Sequence, residues 1–140
     1  MGYSHEVNLI RLAHSMGLLT TPYAFNAEEA TQMAEAGADI VVAHMGLTTS
    51  GKIGAKTGKT LEECVGAVQE IADAARKVNE GVIVLCHGGP IASTQDAGFI
   101  LGRTKGVHGF YGASSVERLP VEEAIENVVK EFKGVGLPQK

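Results

Sequence analysis

The chain has 140 residues, 44% of them hydrophobic, and a formal net charge of −4. That length suits one domain, residues 1–140, with a proper core. The weak negative charge gives no electrostatic attraction to nucleic acid or to an anionic membrane. No apolar run approaches the roughly 20 residues that span a bilayer. The N-terminus lacks a signal-peptide layout, so the cytoplasm is the expected location. Cys64 and Cys86 fit neither a disulfide framework nor a zinc pattern, and they read as reduced core thiols.

Residues 5–16 read as a helix, with Val7, Ile10, Ala13 and Met16 as its apolar stripe and Gly17 as its stop. "LLTTPYAF" (18–25) reads as a strand, with Pro22 marking its end. Asn26 and Glu29 predict a capping box for a helix over 27–36, closed by Gly37. "DIVVA" (39–43) is a continuous apolar strand, followed by a long Gly-, Thr- and Lys-rich loop over 44–59. Thr60 and Glu63 predict a second capping box, and Cys64, Val68, Ile71 and Ala75 mark one helical stripe beyond it. "VIVLC" (82–86) is the most apolar strand. Ser93 caps a short helix carrying Ala97, Ile100 and Leu101, and "VHGFYG" (107–112) is the last strand. Pro120 lies near the start of a final helix. Val121, Ala124, Ile125, Val128 and Phe132 share one of its faces, Gly134 ends it, and "VGLPQK" reads as a frayed tail.

The order is one helix and then four strand–helix units. Such alternation makes the strands parallel, and continuous apolar strands are buried on both faces. The fold class is therefore α/β, with parallel (β/α) units that amount to half of a TIM (β/α)8 barrel. A full barrel takes about 250 residues. A small open sheet of the flavodoxin type is the alternative. There is no G-x-G-x-x-G after the first strand and no P-loop; "GKIGAKTGK" has the wrong spacing.

In parallel α/β sheets the ligand site lies at the C-terminal ends of the strands. His44, His87 and the Ser114–Ser115 pair all fall there. His87 and His44 are the candidate catalytic residues, because imidazole exchanges protons near neutrality. The bland alternative is a histidine bonded to a neighbouring loop. Gly88, Gly89, Gly112, Ser114, Ser115, Thr48 and Thr49 are candidates for holding a phosphate or carboxylate, the two threonines together with Lys52 from within a mobile lid. Simple turns and a solvated loop are the alternatives. Neither tip, "CHGGP" or "GASS", carries Lys or Arg. Backbone N–H groups, the two hydroxyls and the dipole of the helix starting near Ser93 would then hold the anion. Gly88→Val should weaken that binding and leave the fold intact. Glu117 and Arg118 read as a structural salt bridge. Tyr23 reads equally as pocket lining and as packing. His5, His14 and His108 read as structural or surface, and Asp39, at a strand's start, faces away from the rim.

The combination of "AHMGLTT", "CHGGP" and "GASSVERLP" resembles the C-terminal half of the phosphoenolpyruvate hydrolase-like TIM-barrel family, over nearly the whole chain. The resemblance implies a distant tie to the phosphoenolpyruvate mutase and isocitrate lyase group. It implies action on small phosphorylated or phosphonylated carboxylic acids, and magnesium as the cofactor, held mostly by carboxylates of strands this chain lacks. A related barrel forms part of a plant virus-resistance protein, which implies a non-catalytic binding or regulatory module as the alternative. The identity of any metal-binding residue is left open. A half barrel exposes two strand edges, so a homodimer or a partner supplying the other half is expected.

Overall fold

The structure is a computed structural model and describes residues 2–51, 54–55 and 58–136. Helix α1 (Tyr3–Ser15) leads into β1 (Tyr23–Ala24), α2 (Ala27–Glu35), β2 (Ile40–His44), α3 (Leu61–Val78) and β3 (Ile83–His87). Helix α4 (Thr94–Leu101), β4 (Gly109–Phe110), α5 (Ser114–Glu117) and α6 (Leu119–Lys133) follow. The four strands are parallel and lie in chain order, β1-β2-β3-β4. That order never reverses, so the flavodoxin alternative falls and the architecture is half of a TIM barrel.

The local signals explain most boundaries. The Thr60 hydroxyl accepts the Glu63 N–H at 3.2 Å, and the Glu63 carboxylate accepts the Thr60 N–H at 2.7 Å. Ser93 and Asp96 make the same exchange at the start of α4. At α2, Asn26 accepts the Glu29 N–H at 2.9 Å, but the Glu29 carboxylate reaches one residue further back, to the Phe25 N–H. The expected box is therefore shifted by one residue. Strands β1 and β4 are shorter than the pattern predicts, because each has a neighbour on one side only. Their flanks still follow that neighbour: Ile40 N donates to Thr20 O, and Tyr111 N donates to Cys86 O. Helix α5 has no counterpart in the sequence reading, since four residues carry too little periodicity to show one.

Alternation along β3 divides the sheet's two faces. Val84 and Cys86 are fully buried under the helices, whereas Ile83, on the opposite face, is 42% exposed. Met33 from α2 and Val68, Ile71 and Ala75 from α3 complete the core. The stripes of the two end helices do not follow the expectation. Val7 is the buried residue of α1, and α6 has none; Met16, Val121, Ile125 and Phe132 are all exposed. Among the described strands, none lies beyond β4 for α6 to cover.

Both cysteines are buried free thiols. Burial pushes the Cys86 thiol up to about 11 and raises Cys64 as well. A thiol-specific reagent at pH 8 should therefore modify the native protein slowly and the denatured protein within minutes; fast native labelling of Cys86 would contradict its packing.

Candidate functional site

In-register parallel strands place paired residues on the same face. His44 pairs with His87, and the register of the outer strands brings Phe25 and Tyr111 alongside them. The result is a row of rings across the strand ends. Ring centroids are 4.9 Å apart for Phe25–His44, 4.8 Å for His44–His87 and 5.8 Å for His87–Tyr111. Tyr23 lies 4.7 Å from the His44 ring and stacks on His87 at 5.3 Å, so it belongs to this cluster. The motif reading singled out the two histidines. Phe25 and Tyr111 went unnoticed, although the alternation of each strand carries them.

Backbone groups assign opposite tautomers to the two imidazoles. Gly46 N donates to His44 Nδ1 at 3.0 Å, so the proton of neutral His44 is on Nε2. His87 Nδ1 lies 2.6 Å from the carbonyl oxygen of Tyr111, which can only accept, so His87 carries a proton on Nδ1, and in its neutral form the lone pair is on Nε2. The pair thus offers one N–H donor and one acceptor. Burial, and then the neighbouring charge of His87, hold the His44 pKa below its ordinary value of 6.5.

The turns after β2 and β3 are bound to each other. Met45 N donates to His87 O, Gly89 N to Gly46 O and Thr49 N to Gly89 O. Gly88 and Gly89 both have positive φ, +76° and +60°. A Cβ on Gly88 would collide with the Gly46 carbonyl oxygen, and one on Gly89 would meet the Met45 carbonyl oxygen at 2.6 Å. The space beside the glycines is therefore filled by the neighbouring turn. This corrects the expectation that Gly88→Val would spare the fold. The Thr49 hydroxyl also points to Gly89 O, at 3.4 Å.

A cleft of about 300 Å³ opens beside the histidines. His44, His87, Gly46, Thr48, Ser114 and Arg118 are among its lining residues. Ser115 is not one of them; it lines a neighbouring cleft with Ser50, Ser93 and Asp96. Its hydroxyl oxygen is buried with no hydrogen-bond partner among the described residues. Gly112 is exposed, and a Cβ there would crowd Val116 Cγ2 at 2.8 Å, so it makes room for α5. The start of α4 does not serve the histidine cleft. The Asp96 carboxylate already accepts from the N–H groups of Ala92 and Ser93. Arg118 pairs with Glu122 at 2.7 Å rather than with Glu117 as expected. Lys52 lies outside the described residues. Asp39 is held by the N–H and hydroxyl of Thr20, which lower its pKa, at the far end of β2. His108 Nδ1 accepts from Val84 N, a structural role as expected.

The model of the phosphoenolpyruvate hydrolase-like family matches residues 1–135. The chain belongs to this family. It is 64% identical over 137 residues to the "ToMV susceptible protein tm-1(GCR26)" and to the "ToMV resistance protein Tm-1(GCR237)", both of Solanum lycopersicum. Each match covers 98% of this chain and 18% of the relative. A "putative transcriptional regulatory protein y4pA" of Sinorhizobium fredii is 29% identical over 140 residues, which are 23% of its length. The chain thus spans less than a quarter of these curated relatives.

Magnesium prefers a shell of oxygen ligands. The cleft lining contains two imidazoles and no carboxylate, and no group of three or more His, Cys, Asp or Glu among the described residues suits a metal. The described residues that line this cleft therefore do not fit that ion. No helix among the described residues is long and apolar enough to cross a membrane.

Two tests follow from the geometry. Gly89→Val combines a backbone conformation hostile to side chains with a clash against Met45 O, so it should cost at least about 1–3 kcal/mol in denaturant unfolding. An unchanged midpoint would contradict the packed turn. His44 should make stability fall as pH drops. Its folded pKa lies below 6.5, so below that pH the unfolded state binds more protons. The loss begins near 6.5 and ends once pH passes the folded value. His44→Asn should flatten that part of the stability–pH curve.

Proposed function

We propose that this chain supplies half of a site for a small phosphorylated or phosphonylated carboxylic acid, and that the site is catalytic. The observation that carries the reading is the pair of opposed tautomers facing one cleft. His87 Nε2 has the free lone pair and acts as the general base, taking a proton from water or from the substrate. The resulting imidazolium keeps its bond to Tyr111 O, which a positive charge strengthens. His44 is held neutral and donates from Nε2 to a substrate oxygen, polarising it without giving up the proton. Ser114 supports the ligand from the opposite wall of the cleft. A cytoplasmic setting belongs to this reading, in keeping with two buried free thiols.

The remaining walls of the site come from a complementary half rather than from a second copy. A barrel has one helix per strand. The described residues form five long helices for four strands, with α1 ahead of β1 and α6 after β4. Two copies would crowd a ring of eight helices. Four further strands with three helices would complete it and would cover the exposed stripe of α6. Sedimentation of the chain alone at micromolar concentration should show self-association, which co-expression with such a half relieves. A folded, dispersed monomer, or a well-packed dimer of the chain alone, would remove this part of the reading.

The second reading is a binding or regulatory module without turnover. The names of the relatives favour it, since they speak of susceptibility, resistance and putative regulation. Phosphoenolpyruvate and phosphonopyruvate, offered to the chain co-expressed with its complementary half, separate the two. Catalysis predicts turnover that His87→Asn lowers by about 10²–10⁴-fold, with binding retained. Binding without turnover selects the second reading. Neither binding nor turnover would sink both.

A further inference from the structure

The strand tips hold no cation, yet the cleft has one. Arg118 follows α5 directly, and among the described residues lining the histidine cleft it is the permanently charged one. The short helix brings it there: Arg118 N donates to Ser114 O at 3.1 Å, so one helical turn carries both residues. The side chain is held rather than free. Nη1 donates to Glu122 Oε1 at 2.7 Å and Nη2 to Ser50 O at 3.1 Å, and the side chain is 22% exposed. The loop after β2 comes this close because residue 51 is glycine. A Cβ on Gly51, at φ +87°, would lie 2.6 Å from Arg118 Nη1. Guanidinium has five N–H donors in a flat fork, and these two bonds leave others for a ligand in the cleft.

We propose that Arg118 is the specificity-determining residue of this cleft, and that it selects ligands by their phosphonate or phosphate group. This rests on the small-acid reading above and deepens it. The histidine pair offers the ligand no fixed charge. The Gly89 N–H, which a phosphate might otherwise use, is committed to Gly46 O. The Asp96 carboxylate occupies the N-terminus of α4. Among the described residues lining the cleft, Arg118 remains to recognise a dianion, and its planar fork suits the paired oxygens of that group. Glu122 holds the fork in place and also competes with the ligand for it.

The test is calorimetric titration of the chain, co-expressed with its complementary half, with phosphonopyruvate and with pyruvate, which lacks the phosphonate. Wild type should prefer phosphonopyruvate. Arg118→Gln should reduce that preference by roughly 10- to 100-fold, the range for a charge-assisted hydrogen bond. Arg118→Lys should recover part of it, because the charge returns without the fork. Glu122→Gln breaks the ion pair and keeps the arginine, so it should bind phosphonopyruvate at least as well as wild type. Wild-type selectivity in Arg118→Gln would overturn the proposal. So would a loss in Glu122→Gln equal to that in Arg118→Gln, since the arginine would then act only through the ion pair. If wild type binds neither compound, the small-acid reading fails and this inference fails with it; if wild type binds and the variants match it, this inference alone fails.

Discussion

The rim of this half barrel depends on the hydrogen bonds between the turn after β2 and the turn after β3. Met45 N to His87 O and Gly89 N to Gly46 O, both at 2.8 Å, continue the parallel ladder past the last paired residues. Gly88 and Gly89 are buried, and a buried N–H left without a partner is costly. The turns can approach this closely because neither glycine presents a Cβ toward the opposing carbonyls. Side chains would force the turns apart, and His44 and His87 sit at their roots. The glycines thus set the spacing of the two imidazoles without touching a ligand themselves.

That spacing also sets the chemistry. Two imidazoles with ring centroids 4.8 Å apart would be interchangeable if nothing fixed their protons. The backbone breaks the symmetry, with an N–H aimed at one Nδ1 and a carbonyl at the other. Burial and the proximity of His87 favour neutral His44, and a neutral donor beside a free lone pair divides the labour of proton transfer. Tyr23, Phe25 and Tyr111 pack their rings around the pair.

One apolar face of the outer surface is left uncovered. A helix in a β/α barrel buries its stripe against its own strand and the next one. Helix α6 follows the edge strand β4, and its apolar residues remain exposed, Phe132 by 75%. The mismatch is geometric rather than compositional, since the stripe itself is regular. It accords with a chain that spans 18% of its tomato relatives.

The alternation of strands and helices, the capping residues Asn26, Thr60 and Ser93, and the placing of both histidines at strand ends were all legible in the sequence. Those features follow from periods of 3.6 and 2 and from contacts within a few residues. The roles of the glycines and of Arg118 were not. Gly88 reads locally as open space, and only the turn some 40 residues earlier in the chain shows that the space is occupied. Ser114 and Ser115 are neighbours in the chain, yet the unforeseen α5 turns them into different clefts. Arg118 reads as half of a surface ion pair until that same helix swings it beside His44 and His87. Local periodicity decides which elements form, because its forces act between near neighbours in the chain. The tertiary structure decides which atoms share a cleft, because that depends on packing between segments far apart in sequence.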